Sequence, residues 1–237
     1  MFNMVGGVMG DSNFSLVSLL MHMSGVNNST TFTDSSKNAF SVTANGGAKI
    51  STSSSKFGGS SGIFNGTNAY ISISDNGSFD FGTGDFTIEC YVNFQGTAND
   101  RASICGGIGP TNGDFMFAVD VAGNPATGAI WFGKNQVSWD ASSSSQTWNF
   151  GQWYNIAVTR VSGTMYFFRD GTLLTSVANA NSYGISNSNF VIGARQLNAN
   201  SSVAGEFLNA YLDEMRITKG LGRYTSSYTV FPYAFQN

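Results

Sequence analysis

The stretch NAYLDEMRITKGLGRYTSSYTVFP, residues 209–232, alternates like a strand in its first half and then runs into Gly, Ser, Thr and Tyr. Its strand-like half holds Asp213, Glu214, Arg216 and Lys219, although only 11% of the chain is charged. Side chains that alternate with period two predict a strand with one buried face. Strict alternation puts Tyr211, Asp213, Met215 and Ile217 on the inner face, and Leu212, Glu214, Arg216 and Thr218 on the solvent face. Glu214 and Arg216 are ordinary there, and they discourage edge pairing. Asp213 is the odd member. An inward carboxylate left unpaired is very costly, so Asp213 is expected to accept hydrogen bonds from a nearby loop backbone; the alternative is ligation of a hard cation such as calcium. The aromatic tail is expected to wrap back and fill an end of the fold.

The same pattern recurs along the chain. DFTIECYVNF (85–94) reads as a core strand, and FSLVSLLMHM (14–23), FMFAVDV (115–121), AIWFG (129–133), QVSWDA (136–141) and NFVIGA (189–194) read as further strands. WYNIAVTRVSGTMYFFRDGTLLTSV (153–177) holds two hairpins, turning at Ser162-Gly163 and Asp170-Gly171, pairs that tolerate the positive φ of tight turns. Aromatics at 14%, 29 Gly and only 3 Pro suit many short strands joined by Gly, Asn and Ser turns. About a dozen strands imply an all-β, two-sheet antiparallel β-sandwich, because one sheet of that size would leave a face and two edges bare. No linker composition divides the chain, so residues 1–13 are read as a flexible arm and 14–237 as one domain.

Several functions are disfavoured. A net charge of −3 with scattered basic residues argues against nucleic acid as a partner. No apolar run reaches the length of a membrane span, and the N-terminus lacks the cationic start of a secretory leader. Folding in the cytoplasm where the chain is made is therefore expected, with Cys90 and Cys105 as buried thiols. A cross-strand pairing of the two is the alternative, if RASICGG (101–107) returns as a hairpin from 85–94. His22, the one histidine, has no companions for a zinc site or a triad. Glu89 has Tyr91 and Asn93 where a jelly-roll hydrolase would need acidic partners, so an enzyme is not expected. Asp75, Asp80 and Asp85 lie among glycines without the spacing of a calcium loop.

The blocks SGIFNGTNAYISI (61–73), FGTGDFTIECYVNF (81–94), GQWYNIAVTRVSGTMYFFRDGTLL (151–174), NFVIGA and AYLDEMRIT follow one another as in laminin-G-like, concanavalin A-like jelly rolls, which this chain resembles over residues 14–232. The closing Lys-Gly, Arg-Tyr-Thr and aromatic-Thr-x-x-Pro resemble laminin-G-like proteins of bacteriophage genomes. That resemblance implies a jelly roll carried on a virion as a capsid or tail accessory, with other virion proteins as partners and homo-oligomers as one form. It also implies an alternative, a glycan-binding module for host recognition. Ala69 stands where many members have Asp, which disfavours the rim calcium some relatives carry, so no cofactor and no metal site are expected. Lectins stack sugar rings on exposed aromatics. Trp139 and Trp148, flanking the serine-rich DASSSSQ, and Tyr183, in ANANSYGISNSN, are the candidate glycan-binding residues, whereas Trp131 and Trp153 lie within strands and are expected in the core.

Overall fold

The structure, a computed structural model, describes residues 10–96, 101–110, 112–121, 127–185, 189–200 and 202–237. After a single 3₁₀ turn at Phe14–Leu16, the chain forms β1 (Val17–Met21), β2 (Val42–Asn45), β3 (Lys49–Ser51), β4 (Ser61–Asn65) and β5 (Tyr70–Ser74). Next come β6 (Phe86–Phe94), β7 (Ala102–Ile108), β8 (Phe115–Val119), β9 (Ile130–Lys134) and β10 (Ser138–Ser142). The two predicted hairpins are β11 (Trp153–Val161), β12 (Thr164–Arg169) and β13 (Thr172–Ala178). Ser162, Gly163, Asp170 and Gly171 all have positive φ at their turns. β14 (Asn189–Ile192), β15 (Arg195–Gln196), β16 (Ala204–Gly205) and β17 (Asn209–Lys219) complete the set.

These strands form an antiparallel sandwich, a concanavalin A-like jelly roll. The larger sheet has eight strands in the order β13-β12-β11-β6-β17-β4-β3, with β1 also paired to β17. The smaller has seven, β10-β9-β8-β7-β14-β5-β2. Phe64, Phe86, Ile88, Val92, Phe94, Phe117, Phe132 and Phe190 fill the space between them. Cys90 and Cys105 are free and buried in that core. The hairpin that would pair them does not form. β6 belongs to the larger sheet and β7 to the smaller, so the connection crosses between sheets; its expected bend at 97–98 lies outside the described residues, as does most of the 1–13 arm.

The opening stretch departs from strict alternation. A bulge interrupts the β17–β6 register between Asp213 and Arg216, and Glu214 takes φ +51°. One extra residue reverses the facing of everything beyond it. Ala210, Leu212, Met215 and Ile217 therefore point into the core. Asp213, Glu214 and Arg216 are all buried, not half solvated as alternation implied, because residues 221–237 and Asp11 cover the outer face of the larger sheet. Gly222 lets the tail press close: a Cβ there would meet the Arg160 carbonyl oxygen at 2.4 Å.

Beneath this roof lies a charge network. Arg216 donates from Nε and Nη2 to Glu89 Oε1 at 2.9 and 2.8 Å and from Nη1 to Asp11 Oδ2 at 3.1 Å. Arg223 donates to the same Asp11 oxygen at 2.6 Å, and Tyr224 donates to Glu89 Oε2 at 3.0 Å. Tyr228 stacks on Tyr224 with centroids 3.7 Å apart and donates to Asn155 Oδ1 at 2.9 Å. Phe235 packs on Val17, Leu20 and Tyr91, and its N–H donates to Glu214 Oε2 at 2.9 Å. Asp213 behaves as expected in one respect: its Oδ2 accepts the N–H groups of Lys56 and Phe57 at 2.8 and 3.0 Å.

Candidate functional site

The outer face of the smaller sheet carries no such cover from the tail. In β9, Ile130 and Phe132 point into the core, so Trp131 points out, half-buried. In β10 the register sets Trp139 opposite Gly133 and then shifts before Ala141, which pairs with Phe132 in the core. That bulge turns Trp139 outward while Ala141 stays in. Gly133 is required here, because a Cβ would meet the Ser138 carbonyl oxygen at 2.2 Å.

Trp131 and Trp139 meet edge to face, with centroids 5.7 Å apart and planes at 66°. The Arg101 guanidinium lies 4.7 Å from the Trp131 centroid and 4.6 Å from that of Trp139, and Arg195 lies 5.8 Å from Trp139. Such cation–π contacts fix both indoles in place. Beside them is a pocket of about 220 Å³ lined by Met116, Lys134, Gln136, Val137, Ser138, Trp139 and Arg195. Gln136 donates from its amide nitrogen to the backbone oxygens of Gln196 and Leu197, both at 3.1 Å. Its side-chain carbonyl oxygen accepts no hydrogen bond among the described residues.

Across the β9–β10 turn lies a wider trench of about 900 Å³, which shares Lys134 and Val137 with the pocket and includes Asp75, Asp80 and Asn189. Burial, with Asp80 close by, holds the Asp75 carboxyl above the usual range. Among the described residues, no group of three His, Cys, Asp or Glu is placed to hold a metal ion.

The three sequence candidates part company here. Trp139 is on the open face. Trp148 is half-buried: its Nε1 donates to the Gly128 carbonyl at 2.7 Å, and its ring sits edge-on against Phe94 and Tyr154. It anchors the serine-rich loop, is half-buried as Trp139 is, and has the Arg169 guanidinium 5.3 Å from its ring centroid. Tyr183 is only 1% exposed, contrary to an exposed loop aromatic. Its loop folds inward, its ring meets Phe132 edge-on at 4.8 Å, and its hydroxyl donates to Asp140 Oδ2 and accepts from Asn179, both at 2.8 Å. Tyr183 thus helps plug the end of the sandwich, the place the C-terminal tail was expected to fill. Trp131, assigned to the core because it lies in a strand, belongs to the site instead. The signal was in the sequence, since Phe132 must point in and its neighbour must then point out.

Residues 65–221 match a family model, Laminin_G_3, described as the concanavalin A-like lectin/glucanases superfamily. The chain belongs to this superfamily. No curated protein matches the sequence. Among solved structures, this laminin-G-like chain is similar to domain 4 of AbnA, an extracellular arabinanase from Geobacillus stearothermophilus solved with arabinotriose. The TM-score is 0.62 at 17% identity, over 86% of this chain and 92% of that one. It is also similar to a botulinum neurotoxin type C structure described as depending on two ganglioside molecules for cell entry, with TM-score 0.59, 15% identity and 88% coverage. A third is the binding domain of Paraclostridial mosquitocidal protein 1, with TM-score 0.53, 17% identity and 89% coverage. The laminin-G-like chain spans about half the length of these two toxin chains. At such identities the likeness establishes the fold.

Proposed function

We propose that this protein is a carbohydrate-binding module whose sugar site is the pocket walled by Trp139, with Trp131 and Arg101 buttressing the indole. The observation that carries this reading is an indole pair held by cations on the tail-free face of a sheet, where half-exposed aromatics otherwise gain little. A pyranose or furanose ring offers an apolar C–H face to Trp139, while its hydroxyls meet Gln136, Ser138, Lys134 and Arg195. The pocket supplies a wall and hydrogen-bonding groups, the equipment of binding. Glu89 is engaged elsewhere, by Arg216 and Tyr224 beneath the tail. The arabinotriose and gangliosides named for the two similar structures support a saccharide as the ligand class.

Calorimetric titration, after a glycan-array screen, tests this. Trp139→Ala is expected to weaken binding about tenfold or more. Unchanged binding by a folded Trp139→Ala variant would overturn the assignment.

We also propose that the module is carried on a bacteriophage particle, as a capsid or tail accessory. The observation favouring this is the closing segment 209–232, whose sequence resembles phage proteins. Mass spectrometry and cryo-electron microscopy of purified particles test it: the sandwich is expected at regular positions against other virion proteins. Recovery only as soluble protein from lysate would contradict it.

A further inference from the structure

We infer that the ligand is an extended, uncharged saccharide chain, and that Tyr70 is its second aromatic contact, at the far end of a groove that begins at Trp139. This deepens the carbohydrate-binding reading and rests on it.

The far end is set by alternation in β5 and β14. Ile71 and Ile73 of β5, with Phe190 and Ile192 of β14, point into the core. Tyr70, Ser72 and Asn189 therefore point out, on the same face of the smaller sheet as Trp131. Tyr70 is half-buried, its ring tilted against Phe207 with centroids 6.2 Å apart, and the pair packs against Ile108 and Val191. Beside it lies a polar pocket of about 300 Å³ that includes Asn45, Ser72 and Asn189. Asn45 Nδ2 donates to Ser72 Oγ at 3.0 Å, which holds that amide in the pocket wall.

Three concavities then join into one path. The Trp139 pocket shares Lys134 and Val137 with the trench, and the trench shares Asn189 with the Tyr70 pocket. Lys134 has the parity of Ile130 and Phe132, not of Trp131, so it turns around the end of the sheet. Its ammonium lies 5.6 Å from the Tyr183 centroid, in the trench. Trp139 stands on β10 and Tyr70 on β5, five strand steps apart, which is about 24 Å at ordinary strand spacing. A single sugar ring reaches one end of that path, and a chain of several reaches both.

The groups along the path suit hydroxyls. Asp75 and Asp80 accept from them, whereas Lys134 and Asn189 donate. Asp80 is exposed, and among the described residues only its Oδ1 is engaged, by the Ile185 N–H at 2.8 Å. Val137, 62% exposed, offers an apolar contact where pocket and trench meet. Two carboxylates against one ammonium repel a polyanion from the trench. Apolar ring faces at both ends, with polar groups between, match a neutral chain laid lengthwise.

The test titrates the intact protein with linear oligomers of glucose, galactose and arabinose, from monosaccharide to octasaccharide, and with galacturonate oligomers of the same lengths. Expected for the sugar that binds is an affinity rising about tenfold or more from disaccharide to octasaccharide, as one ligand engages both ends. Tyr70→Ala should abolish that rise and leave disaccharide affinity unchanged, whereas Trp139→Ala should weaken every length. Equal affinity at all lengths, or an octasaccharide indifferent to Tyr70→Ala, would overturn the inference and leave the carbohydrate reading intact. Galacturonate bound more tightly than galactose of equal length would overturn the uncharged class. Binding of no oligomer would overturn both readings. Should Tyr70→Ala fail to fold, Asn189→Ala at an exposed position replaces it, with octasaccharide affinity expected to fall and disaccharide affinity to hold.

Discussion

The two outer faces of this sandwich are handled in opposite ways. The larger sheet places charged residues on its outer face and then roofs them with its own tail, so that Glu89, Glu214 and Arg216 become buried. The smaller sheet places tryptophans on its outer face, and the tail passes it by. Where charge is covered, each group is tied to a named partner and serves stability. Where aromatic surface is left uncovered by the tail, the folded chain itself gains little from it. Stability and recognition are thereby separated onto opposite sides of one core, and substitutions should separate them too.

The largest effect is expected beneath the roof. Arg216→Ala removes the closest cation from the Glu89 carboxylate, which is 1% exposed and keeps only the Tyr224 hydroxyl and, at 3.9 Å, Arg223; it should cost about 3 kcal/mol. Thermal denaturation should register it as a fall of roughly 10 °C, with saccharide affinity of the folded protein unchanged. A loss of affinity at matched folded concentration would show that the two faces are coupled.

A smaller effect concerns pH. Burial pushes the Asp213 carboxyl up to about 7 from 3.8, against the opposing bonds from the Phe57 and Lys56 N–H groups, with Glu214 adjacent adding to the rise. A carboxyl raised on folding binds its proton more tightly in the native state. Its contribution is therefore complete below pH 4 and lost as pH climbs through about 7. His22 acts in the same direction. Its bond to Glu214 raises its pKa against burial, so its contribution is present below 6.5 and lost as pH rises through the higher folded value. Asp213→Asn keeps an acceptor for the two N–H groups and removes the first titration. The variant should gain about 2 kcal/mol on wild type between pH 5 and pH 8, measured by urea denaturation. An unaltered pH profile would argue against a proton on Asp213.

Next is the roof's outer fastening. Tyr228→Ala removes the stack on Tyr224 and the bond to Asn155, and about 1–2 kcal/mol is expected to go with them. The smallest stability change is expected at the open face: Trp139→Ala should alter unfolding free energy by about 0.5 kcal/mol or less, although it is the variant expected to damage binding most. A larger loss would mean that the indole pair is structural.

The contrast also explains what the sequence could and could not reveal. Alternation in 85–94 and the Ser162-Gly163 and Asp170-Gly171 turns were legible, because periodicity and positive-φ chemistry are local. The bulge at Glu214 was not. Nothing in YLDEMRI requires an extra residue, so alternation counted through it kept Met215 and Ile217 inward but set Asp213 on the core face, whereas Leu212 points in and Asp213 out. Tyr183 misled for a related reason, since an Asn- and Ser-rich neighbourhood says that the backbone turns, not where the ring goes. Trp131 was readable from the alternation of Ile130 and Phe132 but was judged by its strand membership. Arg101 and Arg195 were out of reach. They flank β7 and β14, and only the order β9-β8-β7-β14 brings them to the tryptophans.

The central claim is that the face left open by the tail is the ligand face. The four tryptophans divide along that line, with Trp131 and Trp139 on the smaller sheet's outer face, Trp148 packed into a loop and Trp153 on the larger sheet beside Tyr91. Fluorine NMR of protein carrying 5-fluorotryptophan gives each one a separate signal during a saccharide titration. Saturating ligand should shift the Trp139 and Trp131 signals and leave Trp148 and Trp153 in place. Shifts at Trp148 or Trp153 with the other pair unmoved would contradict the account.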